Sequence, residues 1–152
     1  MEEDGYKRYD CNIAYLQFSL INLKWGLTNV LEAEKNCKHI SYEFEADFMA
    51  YPFWCNDCGE NLEIGEFPIS DKLQEELLEW VLEYGKWIDL ETDLLKENGV
   101  KLEEWHNEKG LRLFQEVKKQ LGVRYPIVFV PSNSAQLYID LEIDRISTVA
   151  LK

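Results

Sequence analysis

Histidine and methionine are scarce in this sequence, with two of each, and proline numbers only four. With His39 and His106 alone, no paired-histidine metal motif is present. No Ser-His-Asp ordering and no glycine-rich phosphate cradle appears either. Basic residues are in deficit: 16 Lys and Arg face 29 Asp and Glu, a formal net charge of −13. A chain so acidic repels phosphate backbones and anionic bilayers, which disfavours direct nucleic-acid and membrane binding. Long apolar runs are missing. The most apolar stretch, Ile13 to Leu23, is broken by Gln17, Ser19 and Asn22. It falls short of the about 20 apolar residues that a membrane span needs. The opening MEEDGYKRYD has neither the basic start nor the apolar run of a secretory leader. A cytoplasmic location is therefore expected, with Cys11, Cys37, Cys55 and Cys58 reduced. No repeat or Pro/Gly/Ser linker divides the chain, so residues 1–152 are expected to form a single domain.

What is present is material for a core. Hydrophobic residues make up 46%, including five Trp, eight Tyr and seven Phe. A chain of this size buries roughly 68–70% of the surface that its unfolded form exposes. Ile13–Trp25 is apolar on both alternating faces and is expected as a strand between two layers. In Ile40–Phe48, Ile40, Tyr42, Phe44, Ala46 and Phe48 alternate with Ser41, Glu43, Glu45 and Asp47. That is the pattern of a strand with one buried and one wet face. A loop over Tyr51–Ile69 follows.

Ser70 or Asp71 then caps a helix, and Asp71 with Gln74 fits a capping box. The apolar stripe Leu73, Leu77, Val81, Tyr84, Ile88 and Leu95 carries that helix to about Asn98–Gly99, with Gly85 as a point of kink or break. A second helix is expected over Leu102–Leu121, stopped by Gly122 and weakened in its first half by Gly110. Arg124–Val130 and Leu137–Ile143 read as a closing antiparallel hairpin. The expected fold is α+β: an antiparallel sheet of about four strands with two helices packed on one face.

Cys55-Asn-Asp-Cys58, preceded by Trp54, resembles a thioredoxin redox motif, but that chemistry places the first cysteine at a helix N-terminus. Here Gly-Glu-Asn-Leu-Glu-Ile-Gly follows, which reads as turn and loop. Cys37 and His39 together with Cys55 and Cys58 supply the right ligand types for zinc. A nine-residue strand between the two pairs spans about 30 Å and would start them far apart. Free thiols and no cofactor are therefore expected, with zinc as the alternative. His106, beside Trp105 in polar company, reads as a surface histidine.

The acids are more informative. Glu43, Glu45 and Asp47 line one strand face, Asp140, Glu142 and Asp144 another, and Glu75, Glu79 and Glu83 stack at helical spacing. Like charges so arranged repel, by about 0.2–0.5 kcal/mol per helical pair. Exposed acids serve solubility, and they also make a surface for a basic partner by speeding encounter. A calcium or magnesium site needs oxygens converging in a compact loop, and strand spacing spreads them.

One stretch carries a resemblance. Alternation ending in Glu45-Ala46-Asp47 runs into Tyr51-Pro52-Phe53-Trp54, then a turn with Asn61, then Pro68, Ser70, Leu73, Leu77, Trp80 and Tyr84. Over residues 40–88 this resembles the small acidic immunity proteins of bacterial polymorphic toxin systems, with Cys55 and Cys58 as a departure. The resemblance implies a non-enzymatic protein that binds and blocks a nuclease or other toxin domain. Charge adds a basic toxin domain as partner, met by Glu43, Glu45, Asp47, Asp140, Glu142 and Asp144. Trp54 and Tyr138 are candidate aromatic anchors. The alternatives are a zinc-stabilised adaptor and an enzyme using paired carboxylates, for which no converging pair is evident.

Overall fold

The computed structural model describes residues 37–150, with side chains as far as Ile143. The strand expected over Ile13–Trp25 lies outside the described residues, as does part of the expected single domain. Four short strands form one sheet in the order β3-β2-β1-β6: β1 is Tyr42–Phe44, β2 Phe53–Cys55, β3 Asn61–Leu62 and β6 Ile127–Phe129. Three α-helices are described: α1, Asp71–Val81; α2, Gly99–Leu121; and α3, Ser134–Ala150. A separate two-stranded hairpin, β4 (Ile88–Asp89) and β5 (Leu94–Leu95), sits between α1 and α2 in the chain. The α+β class matches expectation, and so does the number of strands, but only β1 and β6 fall where strands were expected: β2 and β3 lie in Tyr51–Ile69, expected as a loop, where Asn61 pairs the chain back on itself. Three further differences follow.

The first is sheet polarity. β1–β2 and β2–β3 are antiparallel, but β1–β6 is parallel, so the sheet is mixed. The antiparallel pairs follow from tight reversals. Asp47 turns the chain by accepting from the Phe48 amide at 2.7 Å, and Asn61 clamps the Tyr51 backbone through both its amide atoms. β6 arrives only after α1 and α2 have crossed over, and such long crossovers suit parallel pairing.

The second is helix length. Ser70 caps α1, its hydroxyl accepting from the Leu73 amide. The helix ends at Val81, well before Asn98. Gly85 takes a φ of 76°, a left-handed conformation that does not continue a helix. The Phe48 ring lies where a Cβ would stand.

The third is α3, where a strand was expected over Leu137–Ile143. The alternation there is real in the sequence, yet it would bury Leu137 and Leu141, which are 54% and 53% exposed. Helix wins because its first turn is satisfied from outside. The buried Glu103 carboxylate on α2 accepts from the Ala135 amide at 3.0 Å and from the hydroxyls of Ser132 and Ser134 at 2.6 and 2.9 Å. An acid at a helix N-terminus also complements the helix dipole.

One sheet face meets α1 and α2. Phe44, fully buried, stacks on Trp80 at 5.0 Å, and Phe53 stacks on Phe67 at 3.9 Å. Leu73 and Leu77 of α1 and Phe114, Val117 and Leu121 of α2 close this core. Burying each such side chain stabilises by about 1.5–3 kcal/mol. A smaller cluster of Trp87, Ile88 and Ala135 joins the β4–β5 hairpin to α3. Among the described residues no helix is long and apolar enough to cross a membrane.

Candidate functional site

Because side chains alternate along a strand, burying Phe44 and Phe53 turns Glu43 and Trp54 to the opposite face of the sheet. Register then sets a row across that face. Asn61 lies opposite Trp54, Trp54 opposite Glu43, and Glu43 opposite Val128, which is 55% exposed. The Trp54 indole donates to the Glu45 backbone carbonyl at 3.1 Å, which ties the ring to the chain just past β1. Burial raises the Glu45 carboxyl above its usual range, and the negative charges of Asp47 and Glu43 raise it further. Glu43, Glu45, Asp47 and Trp54 thus form one acidic and aromatic surface. Among the described residues, no Lys or Arg makes a salt bridge with any of its three acids.

The second acidic group is arranged differently. Asp140, Glu142 and Asp144 belong to α3, not to a strand, and Asp140 and Glu142, two apart on a helix, point to different sides. Asp140 accepts from Gln136 at 2.8 Å, one turn back. Glu142 accepts from the Leu95 amide at 3.3 Å, and the Tyr138 hydroxyl donates to Asp93 at 2.9 Å. Those two contacts bolt α3 to the β4–β5 hairpin.

His106 is not on the surface. It is 5% exposed, stacked 4.9 Å from Trp80 and flanked by Tyr84 and Trp87. Trp105, beside it, is the exposed one.

The cysteine pairs meet. β1 is three residues long, not nine, and β2 returns antiparallel with Cys55 opposite Tyr42. Cys55 and Cys58 are therefore carried back beside Cys37 and His39. The Cys37 and Cys55 sulfurs are 3.5 Å apart, Cys58 Sγ is 3.8 Å from His39 Nδ1, and all four donor atoms lie within 4.8 Å of one another. His39 is held at a φ of 46°, with the Tyr42 hydroxyl donating to its carbonyl. Burial raises the Cys55 thiol, but hydrogen bonds from His39, the Cys58 and Asp57 amides and Cys37 bring it down to about 7. Burial pushes the Cys58 thiol up to about 12. His39 is raised by its hydrogen bond to Cys55. No helix begins at Cys55, which ends a strand and enters a turn closed by the Gly59 amide on its carbonyl at 2.8 Å. The thioredoxin arrangement is absent there, and the cluster's chemistry is that of a soft four-donor metal cage.

Residues 40–132, from the lead into β1 through β6 to the connection before α3, match the family model described as Serratia CdiI immunity protein-like. The chain belongs to this family. Its members are immunity proteins of contact-dependent inhibition, which neutralise a toxin, so the chain's partner is a cognate CdiA toxin domain. The family is one of inhibitors and is not enzymatic. The immunity resemblance therefore extends through both α1 and α2, well past residue 88. No curated protein matches the chain. The outer-face row lies inside the matched segment, whereas α3 with its acids lies beyond it. Two members of the row, Asn61 and Val128, escaped the sequence reading because only strand register puts them there.

Proposed function

We propose that this immunity protein neutralises its toxin by laying the outer sheet face over a basic surface, with Glu43, Glu45 and Asp47 pairing with toxin cations and Trp54 as anchor. The observation that carries this is the set of three acids that have no cationic partner among the described residues, with Glu43 paired across the strands with a half-buried Trp54. Carboxylates accept bidentately from Arg, and Trp is the residue type most enriched where interfaces draw their energy. The toxin is a nuclease in this reading, since a site built for phosphates is basic and carboxylates can occupy it in their place. Asp140, Glu142 and Asp144 add to the field that steers encounter, with Tyr138 at the margin. A net charge of −13 supports the same steering, and the site of action is the cytoplasm. Neither nucleic acid nor membrane is a direct ligand.

Carboxyl footprinting tests the surface. In the complex with the cognate toxin domain, Glu43, Glu45 and Asp47 should lose reactivity toward a carbodiimide-coupled amine, while Glu75 and Glu79 keep theirs. Protection confined to α3 acids would overturn the assignment. For the nuclease reading, cleavage of nucleic acid by the toxin should stop at about one equivalent of the chain, a ratio set by one face covering one site. A toxin without such cleavage refutes it.

A further inference from the structure

We propose that Cys37, His39, Cys55 and Cys58 hold one structural zinc ion. A tetrahedral site with Zn–S near 2.3 Å and Zn–N near 2.0–2.1 Å sets its donors about 3.5–3.8 Å apart. The two closest contacts here are 3.5 Å between the Cys37 and Cys55 sulfurs and 3.8 Å between Cys58 Sγ and His39 Nδ1. The full set spans 4.8 Å, so a small contraction closes it. Three sulfurs and one imidazole complete four-coordination from protein alone, which is the structural rather than the catalytic pattern.

Outer contacts point to the same ion. With Nδ1 facing the sulfurs, His39 Nε2 faces Glu60 Oε2 at 3.3 Å. A carboxylate on the far nitrogen of a ligating histidine fixes the tautomer that leaves Nδ1 free to bind metal. Backbone amides of Asp57 and Cys58 point at the Cys55 sulfur, and that of Glu60 points at the Cys58 sulfur. Such amides orient thiolates and offset their charge. Gly59, at φ 77°, bends the chain just past Cys58, and left-handed His39 bends it before β1. Both conformations turn donors toward one centre.

Binding replaces three S–H bonds with three S–Zn bonds and releases three protons to solvent, with no change of oxidation state. The ion ties the segment ahead of β1 to the end of β2 and to the turn into β3. It thereby holds Glu43 and Trp54 in register beside it. The family match begins at residue 40, so Cys37 and His39 lie ahead of the matched segment.

The test uses the full chain, expressed with zinc and purified under reducing conditions. Elemental analysis should find about one zinc per chain. Titrating cobalt chloride into the metal-stripped protein should give tetrahedral visible bands and an intense thiolate-to-cobalt charge-transfer band. This readout needs no variant. Glu60→Gln, at a half-exposed position, should fold and bind zinc about 10–100-fold more weakly against a chromophoric chelator. Cys58→Ser should lose the zinc. Reduced, folded protein without stoichiometric zinc and without a charge-transfer band on cobalt would overturn the proposal. So would a Cys37–Cys55 disulfide in protein isolated without added oxidant.

Discussion

Buried His106 should make stability fall as the solution is acidified from pH 7 to 5, and His106→Phe should abolish that component. Burial is the main cause that lowers the imidazole from 6.5 to about 4, with the Lys109 and Lys86 charges adding and those of Glu83 and Glu103 opposing. Neither ring nitrogen has a hydrogen-bond partner among the described residues. The ring therefore acts as a neutral aromatic plate between Trp80 and Trp87. Between pH 6.5 and 4 the unfolded chain binds a proton that the folded chain refuses, so stability drops as pH falls through that window. Above it, both states are neutral and the residue adds no pH dependence. The full displacement corresponds to about 3 kcal/mol, of which about 2 kcal/mol is spent between pH 7 and 5. Urea unfolding of both proteins at the two pH values reads this out, and the carboxylates common to both cancel in the comparison. Phe retains the stacking and leaves no unpaired nitrogen, so the variant should lose about 2 kcal/mol less than wild type on acidification. Equal losses in the two proteins would refute a buried neutral imidazole.

Two other substitutions probe how α2 is seated. A Cβ at Gly110 would come within 2.4 Å of the Trp80 ring and 3.2 Å of Phe129. Gly110→Ala should therefore destabilise by about 1–3 kcal/mol in urea unfolding, despite the better helix propensity of Ala; a gain in stability would contradict the close approach. Glu103→Ala strips the acceptor from Ser132, Ser134 and the Ala135 amide. A loss of about 2–3 kcal/mol is expected, together with faster hydrogen exchange at the start of α3; unchanged exchange there would show that the cap does not hold the helix.

Local signals were readable where a single element decides the outcome. The Tyr42–Phe44–Ala46 alternation, the Ser70 cap and the Gly122 stop are all settled by neighbours in sequence. Long-range partners decided the rest. Leu137–Ile143 alternates as a strand does, but Glu103, more than thirty residues earlier, supplies the cap that makes it helical. The parallel β1–β6 pairing depends on how α1 and α2 cross over, which no turn motif encodes. His106 was misplaced because polar neighbours along a helix say nothing of the aromatic wall formed by Trp80, Tyr84 and Trp87. The alternation over Ile40–Phe48 predicts a nine-residue strand that would hold the Cys/His donors apart, whereas β1 is three residues long and lets them meet. For the proposed binding surface, alternation alone puts Glu43, Glu45 and Asp47 on one side of the chain. Their union with Trp54 required the strand register.

In the proposed complex the acidic outer face meets the toxin. Association rates of the cognate toxin domain with wild type and with the Glu43→Lys/Glu45→Lys double variant, measured at low and at high salt, test it most directly. Steered association reaches about 10⁸–10⁹ M⁻¹s⁻¹ at low salt, against about 10⁵–10⁶ for unsteered pairs. The variant should therefore associate at least about tenfold more slowly at low salt, with a flatter salt dependence, while unfolding in urea much as wild type does. Association rates and salt slopes identical to those of wild type would contradict the claim.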